Sequence, residues 1–473
     1  MEIDFKSLTN EEADSIIGDM EFKTPMYLHQ KASLLFCYDK KQAGVFSDVG
    51  TGKTIIALYT AQLKGYKKIF VVCPNSVKYN WEKEVCKHTH FTAKVLEGTG
   101  AQKKMQLFGD QNVTITNYES LRTILGNPHN VLDVELLSRF NEYDLFIVDE
   151  IHKVKSYKAI QSRLCRLIAE EVTDRIGLTG SPIGNDLLDL FNVFLVIDKG
   201  QTFGSNFFQY RKKYFDRVEG WFADTWNPKP NAEIAIAKEA EKVVIRYTKE
   251  ECLDLPEKVY EIRGVELSND QKTYIDKLTL ELRACVEGTT INIPTAVGLT
   301  TKISQITGGA VINPENGELI YLESNSKLDE LMNLIEDIDG KIVVYHRFVG
   351  EGRLIEAALR KNSIKYSSLR GEISDKQSQI DKFLEDPKVR IMVANPASGG
   401  VGLNFHVAST MIFYSNAYSY LDRYQAEGRI HRIGQSRMCL YIDILAKDSI
   451  DERVYEILMN KKNVSDNLLI LLQ

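Results

Sequence analysis

Residues 47–54 read SDVGTGKT, and the apolar run IIALYTAQL follows without a break. Glycines at 50 and 52 let backbone N–H groups turn inward around a phosphate, and the helix that starts here adds the positive end of its dipole. Lys53 is placed to reach the β- and γ-phosphates and Thr54 to bind Mg²⁺. Ser47 stands where the full phosphate-loop pattern has glycine, so the strict pattern is missed by one residue. An ordinary glycine-rich turn would not need Gly-Lys-Thr at the mouth of an apolar helix. Gly50, Thr51, Gly52, Lys53 and Thr54 are therefore the expected ATP-binding loop, with ATP and Mg²⁺ as cofactors.

FIVDEIHK, residues 146–153, supplies the matching half. Adjacent carboxylates at the end of a buried strand are costly unless they hold a cation or a proton. Asp149 suits the Mg²⁺, and Glu150 suits the base that orients the attacking water. Asp-Glu after a strand is a weak signal alone; together with the phosphate loop it is a strong one for a phosphate-loop ATPase.

The surrounding pattern fixes the fold class. Apolar runs at 67–74, 113–118, 143–150 and 174–180 read as buried parallel strands, each followed by a loop and a helix. The pattern returns at 341–348, 364–371, 389–396, 409–416 and 438–446. The expectation is an α/β protein with two parallel-sheet lobes covered by helices, 1–249 and 250–473. Residues 196–325 read as mostly helical, giving a protrusion from about 196 and an insertion at about 265–325. The second core runs over about 326–450. In the tail, Ile450, Val454, Ile457 and Leu458 fall at helical spacing and are expected to pack on a lobe.

With 473 residues and 44% hydrophobic content, the chain can bury two or more cores. A net charge of −6 does not fit coating of nucleic acid by bulk charge, so any DNA contact must be local. Seven cysteines without paired spacing suit a reducing compartment. No apolar run approaches the ~20 residues of a membrane span, and the first thirty residues are unlike a targeting peptide. A soluble, cytoplasmic protein without membrane partners is expected, nuclear if the source is eukaryotic. Cys86, His88 and His90 in CKHTH lack a second ligand pair and read as a polar helix end, not a metal site.

In QAEGRIHRIGQ, residues 425–435, Arg429 and Arg432 stand three apart, which on a helix puts both guanidiniums on one face. This segment and VVCPNSVKYNWEKEV (71–85), TITNYESL (114–121), DEIHKVKS (149–156), RIGLTGSPIGNDLLDLF (175–191) and ANPASGGVGLNFHVAST (394–410) follow the order of superfamily 2 helicase motifs. LTGSPIGN, GGVGLNF and QAEGRIHRIGQ in detail resemble the Swi/Snf family of DNA-translocating ATPases. IRYTKEECLDLPEKV (245–259) is similar to that family's inter-lobe segment, and the resemblance runs from about residue 24 to 460.

The resemblance implies that the two parallel-sheet lobes are RecA-like, and it implies further roles. Gln30 reads adenine, and Thr179 and Ser181 couple nucleotide state to lobe closure. Ser398, Gly399, Gly400 and Gly402 allow close approach to DNA phosphate or nucleotide. Gln425, Arg429 and Arg432 face the γ-phosphate from the second lobe. Lys78, Trp81, Asn117, Tyr118, His346 and Arg347 lie in loops that contact DNA phosphates in the family. The chain departs from the family at Ser181, Ser398, Ser415 and Tyr418-Ser419-Tyr420, the last two replacing an acidic residue and Trp-Asn-Pro in a segment that couples hydrolysis to movement.

The expected function is ATP-driven translocation on double-stranded DNA without sequence readout, remodelling protein–DNA complexes or branched DNA. The motor is of minimal prokaryotic or viral type, with targeting left to a protein partner. The alternatives are a strand-separating DNA or RNA helicase and a non-translocating ATP-dependent DNA-binding switch.

Overall fold

The computed structural model describes residues 4–180, 186–219, 225–252, 255–286, 296–312, 317–373, 375–395, 404–432 and 434–471. The chain divides into two compact units, Met1–Asp254 with Lys462–Gln473, and Leu255–Lys461. The division falls between residues 254 and 255, whereas the expected bounds are 249 and 250.

The first unit is built on seven strands: β1 (Gln42–Val45), β2 (Ile69–Cys73), β3 (Ala93–Val95), β4 (Val113–Asn117), β5 (Leu145–Asp149), β6 (Asp174–Leu178) and β7 (Val244–Ile245). Their order is β7-β1-β6-β5-β2-β4-β3, and every pairing is parallel. All residues of β2, β4 and β6 are buried. Helices cover both faces of such a sheet, so these strands carry continuous apolar runs and no alternation. Crossover connections bring the chain back to the same edge each time, so all carboxyl ends open along one side. The loops leaving β1, β6 and β5 are consecutive there. Phe203, Tyr210 and Tyr214, from the expected protrusion, join the same core as Phe146 and Val148.

The second unit holds six strands: β8 (Lys258–Val265), β9 (Ile342–Tyr345), β10 (Tyr366–Leu369), β11 (Ile391–Ala394), β12 (Thr410–Phe413) and β13 (Cys439–Ala446), in the order β8-β13-β12-β9-β11-β10. All pair in parallel. Alternate residues of β9 feed the two faces: Val343 and Tyr345 pack in one core, Ile342 and Val344 in the other.

Every apolar run read as a strand is one. The expectation of mostly helix across 196–325 needs correction at four places, one of them β7 at Val244–Ile245. Phe215–Val218 with Thr225–Pro228, and Ala310–Ile312 with Leu319–Tyr321, form antiparallel hairpins. Lys258–Val265 is the edge strand β8, paired with β13 over its whole length. Its sequence, KVYEIRGV, is half-exposed and charged, as edge strands are, and so lacks the apolar run of an inner strand. The tail forms the helix Ile450–Leu471. Val454 and Leu458 pack with Tyr420, whereas Ile457 points to solvent at 40% exposure. His88 is buried at the end of the helix Lys78–His88, with Nδ1 2.7 Å from Thr24 Oγ1 and Nε2 3.0 Å from Glu84.

Candidate active site

β1 ends in the loop 47–52, and the helix Lys53–Leu63 begins at once. Gly50 and Gly52 take φ of +95° and +89°, which side-chain-bearing residues rarely adopt. A Cβ at Gly52 would lie 2.2 Å from Gln30 Nε2, so the loop is tight as well as left-handed. Gln30 Nε2 and His29 Nε2 each donate to the Thr51 carbonyl at 3.0 Å, and Gln30 Oε1 accepts from Tyr27 N at 3.0 Å. Gln30 is thus a strut of the loop in this structure, held by both ends of its amide.

Lys53 Nζ reaches back across the loop to donate to Ser47 O at 2.8 Å and Asp48 O at 2.9 Å. Burial lowers its pKa, while Glu150, Asp149 and Asp48 act in the opposite direction. Asp48 pairs with Arg246 at 3.4 Å and accepts from Lys249 N at 3.1 Å, so the segment after β7 braces the loop. Arg246 was missed by motif reasoning; its only sequence signal is its place in the inter-lobe stretch.

At the end of β5, burial and then the neighbouring Glu150 push the Asp149 carboxyl up to about 7. Burial also opposes ionisation of Glu150, but His152 and Lys53 hold its pKa below the ordinary value. Glu150 sits at φ +53°, a left-handed conformation unusual for a residue with a Cβ. Its Oε2 lies 3.2 Å from His152 Nδ1, which is 3.0 Å from Thr179 Oγ1 at the end of β6. The base candidate and the coupling candidate Thr179 are therefore joined through one imidazole. Gly180 is equally close to the phosphate loop, since a Cβ there would meet Val49 Cγ2 at 2.9 Å and approach Lys53 Nζ to 3.6 Å. Ser181 lies outside the described residues.

A hydroxyl from Thr54 and a carboxylate from Asp149 are hard oxygen donors, the set Mg²⁺ takes alongside phosphate oxygens. The under-compensated charge of Asp149 fits a cation.

In the second unit the helix Tyr420–Glu427 carries Gln425, half-buried, and ends before the arginines. This corrects the expectation of one helical face: Arg429 and Arg432 occupy the turn beyond the helix, because Gly428 ends it. The two remain neighbours, and burial and then the Arg429 charge lower the pKa of Arg432. Arg429 is 6% exposed. Arg423 anchors the helix, with its guanidinium donating to both Asp443 oxygens and to Glu427. Past the arginines, Gln435 Nε2 donates to the His406, Ala408 and Ile430 carbonyls, at 3.1, 2.8 and 3.2 Å.

The expected DNA contacts separate into two groups. Lys78 is half-buried at the start of its helix, with Nζ over the exposed Tyr79 ring. Arg347 is half-buried, with its guanidinium over Phe348 and Tyr418. The others turn inward, which corrects the expectation for them. Trp81 is 2% exposed and Tyr118 3%. Asn117 spends its amide on Glu119 and Ser120. His346 is 1% exposed, with Nδ1 2.9 Å from the Phe348 carbonyl. Strand ends in a parallel sheet are deeper than loop tips: Asn117 closes β4, Tyr118 and His346 are the first residues after β4 and β9, and Trp81 lies in the first turn of the helix that follows β2. Ser398, Gly399, Gly400 and Gly402 lie outside the described residues.

Ser415 has a clear partner. Its Oγ–H donates to the buried Glu351 carboxylate at 2.5 Å and its oxygen accepts from Arg347 N at 2.8 Å. An acid at position 415 would set two carboxylates together, so Glu351 and serine form a compatible pair.

Among the described residues no helix is long and apolar enough to cross a membrane. The SNF2-related domain model matches residues 29–307 and the helicase conserved C-terminal domain model matches 326–434. An uncharacterized ATP-dependent helicase, MG018 of Mycoplasma genitalium, is 26% identical over 91% of this chain, which spans only 41% of that relative's length. Putative protein p41 of Acyrthosiphon pisum secondary endosymbiont phage 1 is 24% identical, covering 91% of this chain and 95% of its own. Among solved structures, the Sulfolobus solfataricus SWI2/SNF2 ATPase core in complex with dsDNA is 21% identical, with a TM-score of 0.45, covering 95% of this chain and 94% of that one. With the first model covering more than half of its residues and the second most of the rest, the chain belongs to the SNF2-related family, followed by a helicase-type C-terminal domain.

Proposed function

We propose that this chain hydrolyses ATP when bound to double-stranded DNA and uses the cycle to move along the duplex without reading its sequence. The observation that carries this reading is the convergence of Lys53, Asp149 and Glu150, whose charges act on one another at the carboxyl edge of the first sheet. Lys53 and the loop amides 50–54 grip the phosphates. Thr54 and Asp149 would hold Mg²⁺, which supplies neutralising charge to the phosphates when bound. Glu150 accepts the proton of the attacking water, with His152 setting its carboxylate and Thr179 linked to it. Gln30 borders the adenine. Arg429 and Arg432, with Gln425, complete the charge on the transferred phosphoryl when the second unit closes, so hydrolysis follows closure.

Lys78 and Arg347 touch DNA phosphates, a contact that positions without specifying sequence. A protein partner supplies targeting. Relatives named as helicases, and a solved relative held on duplex DNA, support a duplex-tracking motor. The test is the ATPase rate with single-stranded, double-stranded, forked and RNA effectors, alongside triplex displacement and strand displacement. Stimulation by duplex with triplex displacement supports the reading. Strand separation, or DNA-bound turnover without progress, replaces it with a helicase or a switch.

A further inference from the structure

Two inward-turned aromatic residues share one target. The Trp81 indole N–H donates to Asp149 Oδ2 at 2.8 Å, and the Tyr118 O–H donates to the Asp149 carbonyl at 2.6 Å. Trp81 lies in the first turn of the helix Lys78–His88, and Tyr118 opens the helix Tyr118–Leu125. Each helix starts just beyond a strand end, at turns whose outer residues, Asn75, Ser76, Tyr79, Asn80 and Glu119, are exposed. The other carboxylate oxygen of Asp149 accepts from the adjacent Glu150 amide at 3.0 Å. One strand therefore receives a side-chain tie from one turn and a main-chain tie from the other.

We infer that Trp81 is a positioning residue that carries DNA engagement of the turn 75–80, at Lys78, to the Asp149 carboxylate, and that Tyr118 is a second positioning residue that holds the strand end against which this carboxylate is set. This rests on the proposed function. The helix moves as a rigid piece, and a hydrogen bond to a carboxylate weakens steeply as its angle degrades. A small shift of the outer turn on phosphate therefore reorients Oδ2. Phenylalanine keeps an aromatic ring at this position and removes the indole N–H that reaches Oδ2. Partners one step outside a metal's own ligands typically change affinity or activity ~10–100-fold when removed.

The test uses the full chain and two variants, Trp81→Phe and Tyr118→Phe. In the unaltered protein, turnover with and without duplex DNA tests the proposed function, and absent stimulation overturns that reading. Given stimulation, Trp81→Phe is expected to lower DNA-saturated kcat ~10–100-fold with DNA affinity unchanged. Equal kcat, or a loss confined to DNA affinity, overturns the relay. A second readout needs no turnover. The chain has three tryptophans, and the indole N–H resonance missing from Trp81→Phe is that of Trp81. It is expected to shift when duplex is added without nucleotide; an unmoved resonance overturns the relay. Should Trp81→Phe fail to fold, Tyr118→Phe, which removes one oxygen, decides alone: lowered kcat at unchanged DNA affinity supports the relay, unchanged kcat overturns it.

Discussion

Arg423 and Asp443 form a two-pronged ion pair in the second unit, with Nη1–Oδ1 at 2.6 Å and Nη2–Oδ2 at 2.9 Å, both side chains almost wholly buried. The pair joins the helix Tyr420–Glu427 to β13, and so fixes the turn that carries Arg429 and Arg432. Removing Arg423 leaves the buried Asp443 carboxylate without its cation, which costs about 3–5 kcal/mol, whereas removing Asp443 leaves Arg423 its Glu427 partner. Arg423→Met should lower the unfolding free energy by that amount, and Asp443→Asn by less, and both should lower the denaturation midpoint and weaken turnover in the surviving folded protein. Denaturant titration checks the first effect. Midpoints equal to the parent's would show that the pair is solvated.

Glu150→Gln keeps the shape of the side chain and removes its ability to accept a proton. ATP binding should persist while hydrolysis falls ~10²–10⁴-fold. Single-turnover kinetics beside equilibrium nucleotide binding separates the two. Hydrolysis at the parent rate would remove Glu150 from the mechanism.

Arg432→Ala should bind ATP normally and lose DNA-stimulated turnover by ~10³ or more, the range for arginines that stabilise phosphoryl transfer. Lys53→Ala should instead weaken nucleotide binding itself. A direct binding measurement on both variants distinguishes them, and matching losses of affinity would contradict the separate roles.

His346 titrates in a direction that ties pH to stability. Burial lowers its folded pKa from 6.5 to about 4. Between those values the unfolded chain binds the proton and the folded one does not, so stability falls as pH drops from 6.5 toward 4, by about 3 kcal/mol at most. His346→Asn, which retains a donor for the Phe348 carbonyl, should flatten that slope. Thermal melts across pH 4–7 give the comparison.

Much of this molecule is legible in its sequence. Inner strands such as IFVVC announce themselves because both faces are buried. β1 and β3 do not: QAGV and AKV are short and mix polar or small residues, and β7 is two residues long. β8 hides because an edge strand alternates and carries charge. The phosphate loop and the acids are readable because spacing alone implies their chemistry. The destinations of Trp81, Tyr118 and His346 are not, since a residue at a strand end can face the loop or the core, and only packing decides. The helix end at Gly428 was similarly open, and it moved both arginines from a helix face into a turn.

The left-handed backbone at Glu150 has a consequence for how this chain responds to selection. A non-glycine residue in that region carries a strain of order 1–3 kcal/mol, and the role proposed for the carboxylate would keep glutamate there in spite of it. Glycine or asparagine would relax it. A search for heat resistance alone would therefore favour chains that have lost the proposed base, and on that reading robustness and turnover are opposed at a single residue.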